Sequence, residues 1–225
     1  MNGIRLEGER VVLREWRLDD REAMYRLMGD PEVTRFLSWG RLTPAQCARR
    51  LNDFISYQNS CVRKKYLGPW WHDSAITRAM RRYAHSQAPG PVTSCNGNLE
   101  CHRSRYYLAI ELRHCHRVIG ESVFQWNLNE REKRRGEVGY FLEKEFWGRG
   151  YATEATLLMI NFAFATLDAS ALTAACDPRN RQSERVMQKC GLERDQIVNR
   201  SGTIVATMTK ASWLASRADR ATLKD

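Results

Sequence analysis

Gly148 and Gly150, inside Glu145-Phe-Trp-Gly-Arg-Gly-Tyr-Ala-Thr-Glu154, constrain this chain more than any other feature. They stand just before a run that puts Ala152, Ala155, Leu158, Met159, Phe162 and Ala163 at helical spacing on one face. A glycine turn feeding a helix gathers unpaired N–H groups and the positive end of the helix dipole at one spot. Small residues let an anion approach that backbone closely, and a pyrophosphate suits such a place. Alone, the same turn also serves simply to start a core helix.

The flanking segments extend the pattern. Gly136 to Leu142 reads as a strand before the turn, and Ala171 to Cys176 as a strand after the helix. A loop and short helix follow from Asp177 to Leu192, stopped by Gly191. Here the chain resembles the GNAT acetyltransferases, and most closely their ribosomal-protein N-terminal acetyltransferase (RimJ/RimL-like) branch. Trp147-Gly-Arg-Gly-Tyr-Ala152 matches the family's phosphate loop except that Trp147 replaces the usual Arg or Gln. Asp177-Pro, Asn180, Ser183, Val186-Met, Lys189 and Gly191 match the branch's next motif, and Asp30-Pro-Glu-Val-Thr-Arg-Phe-Leu37 matches a third. The resemblance covers about residues 8–58 and 105–193.

Composition fits one enzyme-sized domain over 1–225: 43% of residues are hydrophobic and 28% charged, with a net charge of +10. Met1 to Glu7 has no apolar signal-peptide core, and the apolar stretch from Leu157 to Leu167 is too short to span a membrane. Seven cysteines without secretory context predict free thiols and a cytoplasmic location.

In chain order the expected elements are a strand over Arg10–Arg17, a helix capped by Asp19 or Asp20, and a turn of helix after Pro31. A second helix starts at Thr43-Pro44. Arg105–Leu112 and Val118–Trp126 read as a hairpin, and weak strands fall near Gln196–Asn199 and Thr203–Thr209. The resemblance implies an α/β (α+β) GNAT fold. Its mixed, mostly antiparallel central sheet is flanked by helices, with a long insertion between the second helix and the second strand.

That insertion, residues 59–104, departs from the family outline. Between 60 and 105 stand eight Lys or Arg against two acidic residues, with Tyr66, Trp70, Trp71 and Tyr83 among them. Three readings stay open: a solvated loop, a lid whose Trp70 and Trp71 contact the acceptor, and a nucleic-acid-binding arm. Cys95, Cys101, His102, His114, Cys115 and His116 lie close in sequence, yet their spacing is no common zinc pattern. A strand over Arg105–Leu112 would set its two ends roughly 25–30 Å apart, with His102 and His114 at opposite ends. No metal site is expected.

What the resemblance implies chemically is direct transfer from acetyl-CoA, a cosubstrate, to an amine. Glu137 is the candidate base, or else a strand-end carboxylate paired with Arg134 or Arg135. Ser183 resembles the donor of a proton to the departing thiolate, or else a first-turn serine. Backbone N–H groups near Phe141 and Leu142 would hold the pantetheine arm, with Asn180 on its amide unless that residue only shapes a turn. Trp147, Gly148, Arg149, Gly150, Tyr151, Ala152 and Thr153 would cradle the phosphates. The acceptor is a protein N-terminus or a small amine, and a ribosome or an acidic protein fits as partner, with the enzyme a monomer or homodimer. The closing segment Gly202–Lys210 lacks the branch's Arg-Asp pair and Tyr, which puts a ribosomal-protein substrate in doubt. The other class of function is a basic RNA- or ribosome-binding module on the same fold.

Overall fold

The computed structural model describes residues 3–37, 39–59, 105–127, 134–195 and 202–222. Its frame is an eight-stranded sheet in the order β1-β2-β3-β4-β5-β6-β8-β7. The first five strands are Arg5–Glu7, Val11–Glu15, Arg105–Leu112, Val118–Trp126 and Arg135–Leu142. Ala171–Cys176 forms β6, Glu193–Arg194 forms β7 and Ile204–Thr209 forms β8. Only β5 and β6 pair in parallel; the other neighbours are antiparallel. This mixed, mostly antiparallel arrangement flanked by helices is the expected GNAT fold.

Both faces of the central strands are covered, so β3 and β4 are apolar along most of their length rather than alternating. On one face α4, Tyr151–Ala165, sets Ala155, Met159, Ile160 and Ala163 against Leu13, Ile110, Phe124 and Leu142. On the other, α1 (Arg21–Met28) and α3 (Pro44–Asn59) set Met24, Leu27, Leu51 and Phe54 against Tyr107, Ala109, Val123 and Phe141. Phe54 stacks on Tyr107 with centroids 4.2 Å apart, a contact adding about 1 kcal/mol to the burial of the two rings. The short α2, Pro31–Thr34, is capped by Asp30, which accepts from Glu32 N–H.

Helix starts follow local chemistry in one case and tertiary demand in another. Thr43 and Gln46 exchange bonds as a capping box: Thr43 N–H donates to Gln46 Oε1 at 2.8 Å, and Gln46 N–H reaches Thr43 Oγ1 at 3.4 Å. Asp20 occupies the N-cap position of α1 without capping it. Its carboxylate instead takes both terminal nitrogens of buried Arg14, at 2.7 and 2.8 Å, and the N–H of Arg17. Arg14 also donates to buried Glu111. Desolvation disfavours the Arg14 charge, and these two carboxylates restore it, so Asp20 serves the core before the cap.

Three differences from the sequence-based expectation concern short or terminal elements. The single strand expected over Arg10–Arg17 is β2, and it pairs with a three-residue β1 upstream. Residues 196–199 lie outside the described residues, and the strand beside β8 is the two-residue β7. A closing helix, α6 (Lys210–Thr222), was not expected. It stacks Trp213 on Phe164 at 5.2 Å, and the indole donates to Asn161 Oδ1 at 3.0 Å.

Candidate active site

β5 and β6 pair at only three positions, Arg135, Gly136 and Glu137 with Ala171, Leu172 and Thr173. Beyond them β5 runs on to Leu142 and β6 to Cys176, and the two strands part. Pairing with β4 continues over the whole of that length. Among the described residues, the opening is therefore lined by β5 main chain that has one neighbouring strand instead of two. Glu143 N–H donates to Ile119 O, and Asn127 N–H to Arg135 O, so odd-numbered positions of β5 turn their main-chain groups to β4. Val138, Tyr140 and Leu142 turn theirs to the opening. Phe141 is thus a correction: its N–H belongs to β4, and its ring is buried against the α1–α3 layer. Tyr140 and Leu142 are the groups that a pantetheine arm would meet.

The glycine turn closes the upper end of this opening. Gly148 and Gly150 have φ of +73° and +85°, a region that costs other residues strain. Glu154 N–H to Gly150 O, at 3.1 Å, is the first helical bond of α4, so the N–H groups of Tyr151, Ala152 and Thr153 precede it. Trp147 packs against both hydrophobic layers, and its indole N–H donates to Leu142 O at 2.8 Å. It ties the loop to the end of β5, an anchoring task distinct from contacting phosphate. Arg149 and both glycines are exposed.

Glu137 stands where the strands part, on the face that carries α1 and α3. Register puts Arg105, Gln125, Glu137 and Thr173 directly opposite one another across β3, β4, β5 and β6. Gln125 Nε2 donates to Glu137 Oε2 at 2.8 Å. Burial raises the Glu137 carboxyl above the ordinary carboxylate range, against the opposing pull of Gln125 and the charge of Arg105. Of the two arginines weighed as its partner, Arg134 meets Asp168 instead. A second carboxyl on this face is not evident from sequence. Glu121, fully buried, is pushed by desolvation to about 7, with the Arg50 guanidinium 3.6 Å away opposing the shift. Glu121 is completely buried, whereas Glu137 is half-buried.

The lower flank comes from α5, Arg181–Lys189. Asn180 is its N-cap, accepting from Ser183 N–H at 3.1 Å through Oδ1. The Nδ2 group of the same amide remains a donor for a carbonyl. Ser183 is a first-turn serine whose hydroxyl meets Tyr140 and Cys176. Burial raises the Tyr140 hydroxyl and pushes the Cys176 thiol up to about 11, so both keep their protons at neutral pH. The structure brings Tyr140 and Ser183 together on the α4–α5 face, with Glu137 on the opposite face of the same strand. Trp70 and Trp71, with Cys95, Cys101 and His102, lie outside the described residues. His116 is near Glu111, 3.0 Å from Nδ1 to Oε1, and no group of three metal-ligating side chains occurs among the described residues.

A family model described as acetyltransferase (GNAT) domain matches residues 10–193. The chain therefore belongs to the GNAT acetyltransferases and is an acyltransferase. A Bacillus licheniformis protein described as uncharacterized N-acetyltransferase p20 is 26% identical over 195 residues, covering 84% of this chain and 85% of that one. Two solved structures share the fold at low identity. Ribosomal-protein-S5-alanine acetyltransferase from Vibrio fischeri is 17% identical with TM-score 0.57, covering 93% of this chain and 98% of its own. Aminoglycoside acetyltransferase AAC(6')-Ib, solved with coenzyme A, is 13% identical with TM-score 0.60, covering 92% and 99%. No helix among the described residues is long and apolar enough to cross a membrane.

Proposed function

We propose that the protein is an acetyl-CoA-dependent N-acetyltransferase that moves the acetyl group directly to a primary amine while both substrates are bound. The observation carrying this reading is the parting of β5 from β6 between the phosphate loop and Glu137. An acyl donor lying in that opening meets amide donors of Tyr140 and Leu142 from one side. The loop and the first turn of α4 take its pyrophosphate, and Asn180 Nδ2 donates to an amide carbonyl of its arm. The amine approaches from the α1–α3 face, where Glu137, directly or through water, removes the ammonium proton. Its raised affinity for a proton suits a base working near neutrality. The neutral amine attacks the thioester carbonyl and the C–S bond breaks; the proton that the acylated nitrogen then sheds reaches the departing thiolate by way of the Ser183 hydroxyl, which gives its own proton to sulfur and takes that one in return, with Tyr140 holding the hydroxyl in place.

The acceptor is a protein N-terminus or a small amine. Enzymes for a ribosomal protein and for an aminoglycoside resemble this chain about equally, so the fold favours neither. The three branch motifs of the sequence favour an N-terminal acceptor, and the RimJ/RimL-like branch is the working assignment. The test is incubation with acetyl-CoA and a panel of N-terminal peptides, polyamines and aminoglycosides, following thiol release and acetylated product by mass. One acceptor should give equal amounts of both; absence of acetyl-CoA binding and of any acetylated product would remove the assignment.

A further inference from the structure

The phosphate loop is held from behind by a residue 139 positions away in the chain. Arg10, just before β2, donates from Nη1 to Arg149 O at 3.0 Å. Its Nε donates to Glu154 Oε2 at 2.9 Å, and its own N–H and that of Val11 donate to Glu154 Oε1 at 2.7 and 3.1 Å. The guanidinium carbon lies 4.9 Å from the centre of the Tyr151 ring. Burial works against the Glu154 charge, yet these donors hold its carboxyl below the usual carboxylate range. Arg10 is thus aimed at the loop from three sides.

We infer that Arg10 is a positioning residue that fixes the direction of the Gly150 N–H, and with it the loop's affinity for the pyrophosphate of acetyl-CoA. The inference rests on the acetyl-CoA reading above. Gly150, at φ +85° and ψ −5°, has the geometry of the third residue of a type II turn. Type II and type I turns differ by a flip of the central peptide, here the one joining Arg149 to Gly150. In a planar trans peptide the C=O and the following N–H point in opposite directions. Glycine tolerates either arrangement, so the flip is cheap unless one side is held. Arg10 binds the Arg149 carbonyl and thereby turns the Gly150 N–H to the other side. Glu154 gives the guanidinium its aim and is itself neutralised, which removes a carboxylate's repulsion from the first turn of a phosphate-binding helix. Arg10 contributes no catalytic group; it presets a donor.

Acetyl-pantetheine, which carries the thioester arm without the pyrophosphate, separates this role from a general structural one. Wild-type enzyme should show a lower KM for acetyl-CoA than for acetyl-pantetheine. Equal values there would remove the phosphate-loop reading itself. In Arg10→Met the KM for acetyl-CoA should rise roughly tenfold, the scale of one charge-assisted hydrogen bond, with the KM for acetyl-pantetheine holding near its wild-type value. Arg10→Lys, which can still reach the carbonyl, should recover part of the loss. If Arg10→Met keeps the full wild-type preference for acetyl-CoA, the inference is overturned. An equal rise for both donors overturns it too, because Arg10 would then only support the fold. Should Arg10→Met prove too unstable to assay, Glu154→Gln takes its place, since it weakens the aim of Arg10 without removing it. It should raise the acetyl-CoA KM selectively, and an unselective change or none counts against the inference.

Discussion

Where the acyl donor is expected, the recognition surface is mostly main chain: the Tyr140 and Leu142 amides, the two-glycine turn and the first turn of α4. Where the amine is expected, across the same strand, the surface is side chains from separate parts of the chain: Glu137 and Gln125 on adjacent strands, with Arg105 beyond them. A main-chain surface has a fixed shape and binds what every relative binds. A side-chain surface changes with each substitution, so it can specify the acceptor. The two regions should therefore respond to mutation in different kinetic constants.

The largest effect is expected in the main-chain region. In Gly150→Asp the backbone must leave φ +85° or bear strain there, and its Cβ would lie 3.1 Å from Arg10 Nη2. The new carboxylate would draw Arg10 from the Arg149 carbonyl and set a negative charge beside a pyrophosphate. Acetyl-CoA affinity measured by calorimetry should fall by about 10³-fold or more, a loss of several kcal/mol. Unchanged affinity would break the comparison at its stronger end.

The side-chain region should answer in rate. Glu137→Gln keeps the shape and the neighbour Gln125 but cannot take a proton, so kcat should drop by about 10²-fold with acetyl-CoA affinity retained. The pH profile carries the sign. Because burial raises the Glu137 carboxyl, the protonated, inactive form persists above the ordinary carboxylate range. Wild-type kcat/KM should then fall as pH drops through that raised value, and the Gln variant should lack this acidic limb. A wild-type profile in Glu137→Gln would remove Glu137 from the mechanism.

The same contrast accounts for what could be read in the sequence. The turn was visible because a backbone site needs glycines at fixed offsets before an apolar helix, and strands β3 to β6 were visible as apolar runs between turn residues. Ser183 was reachable through a family motif, and Glu137 through its place at the start of the strand before the phosphate loop. Glu121 was not, since a lone Glu between Gly120 and Ser122 reads as a solvent-facing strand residue until α3 is known to cover it. Tyr140 was missed because only the register shows which side of β5 faces α5. Phe141 was misplaced for the same reason: N–H direction alternates, and one position reverses it. α6 went unseen although Thr209 and Ser212 cap it reciprocally at 3.1 Å each, because the two are polar residues in a short strand's wake.

The smallest effect is expected where the two regions meet. Ser183 is held by its N–H to Asn180, so Ser183→Ala keeps the cap of α5 and should change thermal stability little. Its hydroxyl, beside Tyr140, is the proposed proton source for the departing thiolate. A thiol loses its proton near pH 8.5 in water, so a thiolate leaves tolerably well without help and water can protonate it afterwards. Ser183→Ala should therefore lower kcat only about tenfold, with acetyl-CoA affinity unchanged. If Ser183 and Tyr140 act as one relay, Tyr140→Phe should cost a similar factor, and the double variant should be no slower than the worse single one. Multiplying losses in the double variant would mean that the hydroxyls act separately. A wild-type rate in Ser183→Ala would leave thiolate protonation to water and reduce Ser183 to a first-turn residue of α5.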